Sequence, residues 1–369
     1  MTASQSDVKR TALHAEHLAL GARLVPFGGF DMPVQYAGIL KEHDAVRRQA
    51  GLFDLSHMGQ FVLKGEGVAP WGDRLAVNNL ATMKPYQARY NIFCNEQGGA
   101  HDDVIFYRLP SYWLLVVNAS NVAKMWAHLQ EHLPAEGVAL ENLHGRNALI
   151  AIQGPRSVEL MRGVTQPDVS ELKYYYCIEG TVYGNPAVIA RTGYTGEDGF
   201  EMFVSGQDAV QIWKRLLEEK KSGGLEPAGL GARDVLRLEA GMPLYGHELT
   251  EEITPIAAGL PWAVKFSKPE FLGKAALQQQ QREDSYRRIT GLIMEGKAPA
   301  REGYAVFLGE RLVGEIRSGS IAPSVGNQNI ATALLEPQAA TVGTSLQVEI
   351  RGAKHAARVV ELPFYKRAK

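Results

Sequence analysis

Two adjacent aspartates, Asp102 and Asp103, stand directly after a glycine pair and before an apolar run in the segment NEQGGAHDDVIFY. Side chains alternate along a strand, so one carboxylate should point inward and the other outward. An inward carboxylate in apolar surroundings is costly unless it has a partner or a role. The pair is therefore a candidate functional site. The alternative is that both residues only cap a turn.

A second candidate is the glycine-rich segment RTGYTGEDGFEMFV at residues 191–204. Three glycines within seven residues predict a tight loop with Glu197 and Asp198 at its tip, and the strand that follows carries Glu201. Glycines permit a flat ligand to approach the backbone, and a loop carboxylate can accept a hydrogen bond from an amino group. The alternative is a plain hairpin turn.

The third candidate is GLGARDVLRLEAGMPLYG, which predicts a helix entered through glycines. Arg233 falls in its first turn, and Arg237 follows one turn later on the same face. A cation near a helix N-terminus opposes the helix dipole. We therefore expect Arg233 to have an anionic partner, either an internal carboxylate or a ligand carboxylate.

Other catalytic motifs are incomplete or absent. His128-Leu129-Gln130-Glu131-His132 matches an H-x-x-E-H zinc pattern, but it flanks the apolar stripe of an amphipathic helix, and no third protein ligand is evident. Gly229-Leu230-Gly231 lacks the third glycine of a dinucleotide fingerprint. The chain has no G-x-x-x-x-G-K-[ST] and no G-x-S-x-G. We therefore expect no metal site, nucleotide hydrolase, flavin or nicotinamide enzyme, or serine hydrolase.

The elements that must position these residues mix helices and strands. Apolar spacing predicts one helix over residues 38–49 and another soon after Asn118. Apolar runs predict strands at residues 60–63, 104–107, 113–117 and 148–153. This order indicates an α+β structure with a mixed or antiparallel sheet.

After about residue 287 the pattern changes to short strands separated by glycines, at residues 289–294, 304–308, 313–316, 331–335 and 346–350. In the last of these, apolar and polar residues alternate, which predicts one dry face and one wet face. We predict a C-terminal β-barrel domain over residues 287–369 and a larger region over residues 1–280. The glutamine run at residues 278–281, with Arg282-Glu283-Asp284-Ser285 after it, is the predicted linker.

Composition narrows the functional class. The 369 residues are 45% hydrophobic and 21% charged with a net charge of -1, so no overall field would attract nucleic acid or an anionic membrane. Two cysteines favour a reducing compartment. The N-terminal segment has no long apolar run, and Asp7 and Glu16 interrupt the basic character of a transit peptide. We expect a cytoplasmic protein with no membrane partner.

The three candidate segments, with several others in the same order, resemble the glycine cleavage T-proteins, a family of aminomethyltransferases. The resemblance covers almost the whole chain. It is carried by LVPFGGFDMPVQYAGILKEHDAVRRQAGLFDLSHMGQ, NEQGGAHDDVIFY, LLVVNASN, ALIAIQGP, RTGYTGEDGFE, PAGLGARDVLRLEAGMPLYG, TPIAAGLPWAVKF, RSGSIAPSVG and PFYKR.

This resemblance implies a three-domain cloverleaf folate-binding fold, with two interleaved N-terminal α+β domains and a C-terminal β-barrel. It implies transfer of a one-carbon unit from S-aminomethyl-dihydrolipoyl H-protein to tetrahydrofolate, releasing ammonia and forming 5,10-methylenetetrahydrofolate. Tetrahydrofolate is then the acceptor substrate, and the lipoyl group belongs to the partner H-protein. No metal is implied.

The resemblance also assigns roles to single residues. Asp103 would be the buried carboxylate that stabilises a developing iminium-like carbon, with Asp102 facing away from it. The folate-binding candidates are Glu197, for the amino and ring-nitrogen edge of the pterin, Arg233, Tyr365, and less directly Tyr90, Asn118 and Tyr194.

Two alternatives stay open. A stand-alone folate-dependent demethylase shares this fold, and a non-catalytic folate-binding protein is the alternative outside enzymes. A related folate-binding family of iron–sulfur assembly carries a K-G-C-Y-x-G-Q-E signature, which is missing here, where the chain reads FLGKAAL.

Overall fold

The computed structural model describes residues 8–367, so Asp7 and the start of the N-terminal segment lie outside the described residues. Within this range the chain forms eight α-helices and twenty β-strands. The helices are α1 (His14–Ala19), α2 (Ile39–Arg48), α3 (Val68–Leu75), α4 (Val122–Glu131), α5 (Ser157–Met161), α6 (Gly206–Lys220), α7 (Leu230–Glu239) and α8 (Lys274–Glu283). Among these described helices, none is long and apolar enough to cross a bilayer.

The strands fall into a two-stranded hairpin, two larger sheets and a closed barrel. They are β1 (Arg23–Phe27), β2 (Phe30–Gln35), β3 (Ala50–Asp54), β4 (Gly59–Lys64), β5 (Ala88–Cys94), β6 (Ala100–Arg108), β7 (Trp113–Val117), β8 (Ala139–Asn142), β9 (Asn147–Gln153), β10 (Thr165–Gln166), β11 (Cys177–Val182), β12 (Asn185–Ala190), β13 (Gly199–Ser205), β14 (Leu225–Pro227), β15 (Arg288–Met294), β16 (Ala305–Leu308), β17 (Arg311–Ala322), β18 (Gln328–Leu335), β19 (Ser345–Ile350) and β20 (Ala353–Val360).

The chain divides into two compact units, each assembled from three stretches of sequence. The first unit comprises Met1–Trp71, Leu80–Tyr90 and Val104–Asp234, and the second comprises Gly72–Asn79, Asn91–Asp103 and Val235–Lys369. The predicted domain limits, residues 1–280 and 287–369, stay a prediction.

The core of the first unit is built on a seven-stranded sheet with the order β10-β11-β12-β13-β9-β3-β14. Helix α6 covers it with an apolar stripe at spacings of three and four, in which Ile212, Trp213 and Leu216 are fully buried. Strand β13 pairs with β9 along its whole length, and its residues 201–204 also pair with β12. The loop between β12 and β13, which carries Glu197, therefore starts and ends at fixed strands.

Most of the predicted elements of this region are confirmed. The helix expected over residues 38–49 is α2, and the strands expected near residues 60, 113 and 148 are β4, β7 and β9. Strands β4 and β7 belong to a five-stranded sheet with the order β5-β6-β7-β4-β8. All five residues of β7 are buried, as a continuous apolar run predicts.

Two tyrosines with an unusual backbone hold the beginnings of β5 and β11 together. Tyr86 and Tyr175 have φ angles of 65° and 61°, in the left-handed region that non-glycine residues rarely adopt. The Cys177 amide donates to the Tyr86 carbonyl at 2.7 Å, and the Ala88 amide donates to the Tyr175 carbonyl at 2.8 Å. These reciprocal hydrogen bonds offset a conformational cost of roughly 1 kcal/mol or more per residue.

The C-terminal strands of the second unit close into a six-stranded barrel with the order β15-β18-β17-β16-β19-β20, as β20 pairs with β15. The predicted alternation in β19 is confirmed, because Leu346, Val348 and Ile350 are buried in the barrel core. Strand β20 was not predicted, because its charged residues obscure the alternation of apolar and polar residues.

The predicted linker is wrong in one respect. Residues 278–281 are not an extended connection but belong to helix α8. Glutamine is a good helix former, and Leu277 anchors the helix because it is fully buried. The turn after α8 is short, and β15 begins at Arg288.

Candidate functional site

The loop that carries Glu197 is folded around the side chain of Gln153, the last residue of β9. Gln153 Nε2 donates to the Thr192 carbonyl oxygen at 3.0 Å, and Gln153 Oε1 accepts from Thr195 Oγ1 at 3.0 Å. A Cβ atom on Gly193 would lie 1.9 Å from Gln153 Oε1. This glycine therefore makes room for a buried side-chain amide of the protein itself, a role that depends on tertiary packing.

Glu197 lies in the predicted loop, and its side chain is buried and paired. Arg47, from the last turn of α2, places Nη1 2.9 Å from Glu197 Oε1 and 2.6 Å from the Thr195 carbonyl oxygen. The two charged side chains are only 7% and 4% exposed. Arg47 could not be predicted as part of the site, since nothing distinguishes it in sequence from its neighbour Arg48.

Asp198, the second acid of the loop, has a structural role. Arg191 donates to both of its carboxylate oxygens, at 3.0 Å from Nε and 2.5 Å from Nη2. This bidentate contact raises the pKa of the Arg191 guanidinium. The same carboxylate accepts from the Gly199 amide at 3.0 Å, so Asp198 fixes the start of β13.

Arg233 lies in the first turn of α7, as predicted, and the structure identifies its neighbours. Its Cζ atom is 4.8 Å from the centroid of the Tyr194 ring. Burial lowers the pKa of the guanidinium, and the carboxylate of Glu201 acts in the opposite direction. Glu201 is thus one internal carboxylate whose charge acts on Arg233, and Tyr194 and Arg233 are brought together in the first unit.

Glu201 belongs to a buried hydrogen-bonded group. Tyr107 donates its hydroxyl to Glu201 Oε2 at 3.1 Å, and Thr192 Oγ1 donates to the same oxygen. Burial first, and then the charge of Glu201, raise the pKa of the Tyr107 hydroxyl well above its ordinary value. Tyr107 thus stays a neutral hydrogen-bond donor to Glu201.

Tyr90 and Asn118 are both half-buried residues of the first unit. Tyr90 lies on β5, and Asn118 directly follows β7, where its carbonyl oxygen accepts from the Asn121 amide at 2.9 Å. The next residue, Ala119, lies so close to Gly28 that a Cβ there would be 2.4 Å away. The structure thus ties the residue after Asn118 to the tip of the β1–β2 hairpin.

His57 is a buried histidine that the sequence analysis did not single out. Burial lowers its pKa to about 4; the charge of Asp54 opposes this shift, and that of Arg233 adds to it. Its ring packs edge-on against Phe27, with the centroids 5.5 Å apart. Among the described residues, Nδ1 of His57 has no hydrogen-bond partner. His57 is therefore a neutral imidazole close to Arg233.

Asp102 and Asp103 lie inside β6, which begins at Ala100, so the alternative that both cap a turn is wrong. The expected alternation is confirmed, because Asp102 is fully buried and Asp103 is partly exposed. The buried carboxylate is therefore Asp102, whereas burial was expected of Asp103. Of the two aspartates, Asp103 is the more accessible, so accessibility favours Asp103 for contact with a ligand.

The C-terminal segment of the second unit is docked rather than frayed. The Tyr365 amide donates to the Glu239 carbonyl at the end of α7, at 2.7 Å. Phe364 packs into a small apolar cluster with Leu238, Ala322 and Ile330. Phe364 therefore contacts both α7 and the barrel, and the Tyr365 backbone is fixed beside it.

Arg237 differs from Arg233 in its environment. Its Nη1 lies 2.9 Å from Glu248 Oε2, and its Nη2 donates to Ser318 Oγ at 2.8 Å. Glu248 also accepts from Thr332 Oγ1. Burial raises the pKa of Glu248, but the Arg237 charge and these hydrogen bonds outweigh it, so the pKa is lowered overall. Arg237 joins α7 to the barrel and has a structural role.

One group of side chains within residues 8–367 could hold a metal ion. The ligand atoms of His128, Glu131 and His132 lie within 4.8 Å of one another on α4. Nδ1 of His132 lies 2.9 Å from the His128 carbonyl oxygen, and Trp71 Nε1 donates to the His132 carbonyl at 2.6 Å. These contacts engage His132 with the backbone at the end of the helix and with Trp71.

Two family models match the sequence. The GCVT N-terminal domain matches residues 13–268, and the glycine cleavage T-protein C-terminal barrel domain matches residues 287–366. Together they account for nearly the whole chain.

Several aminomethyltransferases are similar over their full length. The chain is 44% identical to that of Deinococcus deserti over 363 residues, covering 98% of each protein. It is 45% identical to that of Streptomyces coelicolor over 372 residues, covering 99% of this chain and 100% of the relative. It is 42% identical to that of Bacillus subtilis, covering 98% and 100%.

A crystal structure of the glycine cleavage system aminomethyltransferase T from Bartonella henselae superposes with a TM-score of 0.91. The two chains are 33% identical, and the match covers 97% of this chain and 98% of the other. The fold expected from the sequence is therefore confirmed.

Proposed function

The chain belongs to the glycine cleavage T-protein family of aminomethyltransferases, and from this premise we propose how its own residues carry out the transfer. The observation that carries the assignment is the full-length similarity to aminomethyltransferases, in which both the N-terminal region and the barrel are matched. A demethylase or a non-catalytic folate-binding protein is not favoured, because the relatives named above are aminomethyltransferases.

The proposed reaction moves one carbon without a change in oxidation state. The donor is an S–CH2–NH2 group on the dihydrolipoyl arm of H-protein, and the acceptor is tetrahydrofolate. The C–N and C–S bonds break, and two bonds form from the carbon to N5 and N10 of the folate. The two protons released by these nitrogens leave with ammonia and with the dihydrolipoyl thiol.

The protein's task in this scheme is to position the two substrates and to stabilise positive charge on an iminium-like carbon. We assign the charge stabilisation to Asp103, a partly exposed residue of β6. Family resemblance supports this role. Asp102 is fully buried on the opposite face of the strand and cannot contact a substrate.

The first unit supplies the proposed folate-binding residues. Glu197 is a fixed carboxylate that would accept hydrogen bonds from the amino and ring-nitrogen edge of the pterin. Arg233, held over Tyr194, would bind an electron-rich or anionic part of the folate. Family resemblance suggests Tyr90, Asn118 and Tyr365 as further folate-binding candidates. We place the reaction in the cytoplasm.

The proposal is tested by incubating the protein with aminomethylated lipoyl H-protein and tetrahydrofolate, and by following ammonia and 5,10-methylenetetrahydrofolate. We expect both products in equal amounts, and only when the carrier is loaded. A protein that instead forms 5-methyltetrahydrofolate from an S- or O-methyl donor would be a demethylase. Folate binding without turnover of either donor would indicate a non-catalytic binding protein.

A further inference from the structure

The Arg47–Glu197 ion pair connects two parts of the first unit that lie far apart in sequence. Arg47 lies in the last turn of α2, and Glu197 lies 150 residues later in the loop between β12 and β13. One Arg47 nitrogen contacts both the Glu197 carboxylate, at 2.9 Å, and the Thr195 carbonyl, at 2.6 Å. Arg47 therefore fixes the side chain of Glu197 and the backbone two residues before it.

The adjacent Arg48 shows that this pair is not an ordinary surface contact. Arg48 forms an ion pair with Asp44 at 2.8 Å, but their side chains are 76% and 56% exposed. Exposed ion pairs of this kind contribute little to the free energy of unfolding. The Arg47 and Glu197 side chains are 7% and 4% exposed, so both charges lose most of their hydration. Burying an ion pair is costly compared with apolar packing.

A buried pair at this cost is explained if the carboxylate itself is needed in one fixed place. The rest of the loop is also held by buried hydrogen bonds. The Gln153 side chain is hydrogen-bonded to Thr192 and Thr195, and the Glu197 amide donates to Thr195 Oγ1 at 3.2 Å. These contacts hold the backbone of the loop. The contact with Arg47 reaches the Glu197 carboxylate itself.

We propose that Arg47 is a positioning residue that orients the Glu197 carboxylate to accept hydrogen bonds from the folate. This inference rests on the proposed function, in which Glu197 binds the pterin edge. Arg47 itself touches no substrate in this scheme and acts through Glu197. A planar guanidinium that bridges a carboxylate and a backbone carbonyl restricts the carboxylate more than a flexible ammonium group would.

The test compares Arg47→Met, Arg47→Lys and Arg48→Met. Methionine retains the length of the apolar stem but removes the charge. We expect Arg47→Met to raise the KM for tetrahydrofolate roughly tenfold or more, as expected for loss of a charged hydrogen bond, and to change kcat less than about threefold. The KM for H-protein should stay within twofold. Arg47→Lys should recover part of the loss, and Arg48→Met should match the parent protein.

A double-mutant cycle with Glu197→Gln makes the coupling explicit. If Arg47 acts through Glu197, Arg47→Met should add little to the KM of a Glu197→Gln protein. For a variant that folds but has a low kcat, the affinity for tetrahydrofolate measured by calorimetry replaces the KM. If Arg47→Met is poorly folded by circular dichroism, Arg47→Lys carries the comparison, with an expected KM between those of the parent and Glu197→Gln.

The inference is overturned if folded Arg47 variants keep the parent's folate KM and affinity, or if their effects add fully to those of Glu197→Gln. An equal rise in the KM values of folate and H-protein would also overturn it, because that is a general structural defect. Failure of the proposed function is a different result. In that case the parent protein itself would transfer no aminomethyl group.

Discussion

The guanidinium of Arg233 lies over the ring of Tyr194, with Cζ 4.8 Å from the ring centroid. A bare cation in the first turn of α7 would oppose the helix dipole. The face of the aromatic ring and the nearby carboxylate of Glu201 offset that cost. Arg233 is therefore preorganised by its own unit, with Glu201 held in turn by Tyr107 and Thr192.

The first prediction is that Arg233 and Glu197 contribute to folate binding more than to chemistry. Replacing either residue by alanine should weaken tetrahydrofolate binding by roughly 1.5–3 kcal/mol, because a hydrogen bond to a charged group is lost. Isothermal titration calorimetry on folded protein measures this directly. Unchanged affinity in both variants would remove the two residues from the site.

The second prediction concerns Tyr365 and its neighbour Phe364. If Tyr365 completes the folate site, Tyr365→Phe should weaken tetrahydrofolate binding while the thermal midpoint stays close to that of the parent. Phe364→Ala is the matched control, because Phe364 packs against Leu238, Ala322 and Ile330. It should lower the free energy of unfolding by roughly 1 kcal/mol or more. Intact folate binding by Tyr365→Phe would make the tail purely structural.

The third prediction is a dependence of stability on pH that comes from His57. Its pKa is about 4 in the folded protein and near 6.5 when unfolded. Between these values the unfolded chain binds more protons, so the free energy of unfolding falls as the pH is lowered from 7 towards 4. His57 changes the free energy of unfolding by about 1.4 kcal/mol per pH unit over this range, up to a total of about 3 kcal/mol.

His57→Gln should therefore flatten the stability curve over that range. Urea denaturation at pH 4.5, 5.5 and 7 measures the slope for both proteins. A variant whose slope equals that of the parent would show that His57 is protonated in the folded state, contrary to its buried position.

The fourth prediction is that both cysteine thiols are unreactive in the folded protein. Cys94 and Cys177 are buried, and burial raises the pKa of Cys177 to about 12 and that of Cys94 further above its ordinary value. The thiolate is the reactive form. A disulfide reagent such as DTNB should therefore titrate two thiols in denaturant but fewer than one without it. Fast reaction of the native protein would contradict this.

The sequence alone predicted the parts that depend on local pattern. The apolar run of residues 113–117 gave β7, and the alternation of Leu346, Val348 and Ile350 gave a barrel strand. The alternation of Asp102 and Asp103 was also predicted correctly. Each of these features depends on residues close together in the sequence, so the periodicity of apolar and polar residues is enough to predict it.

The sequence could not predict the contacts that join distant segments. Arg47 and Arg48 look alike in sequence, yet one is buried against Glu197 and the other is exposed beside Asp44. The role of Gln153 inside the glycine-rich loop depends equally on tertiary packing. The helical state of residues 278–281 was missed because a polar run was taken as a linker, although Leu277 anchors it.

The most direct test of the account compares Asp103→Asn with Asp102→Asn in the transfer assay, at saturating carrier and tetrahydrofolate and per amount of folded protein. If Asp103 stabilises the iminium-like carbon, Asp103→Asn should lower turnover by about two orders of magnitude or more, corresponding to about 3 kcal/mol. Its folate affinity should stay close to that of the parent. Asp102→Asn should keep most of the turnover, because that side chain is inaccessible to substrate. Equal losses in the two variants, or full turnover by Asp103→Asn, would contradict the account.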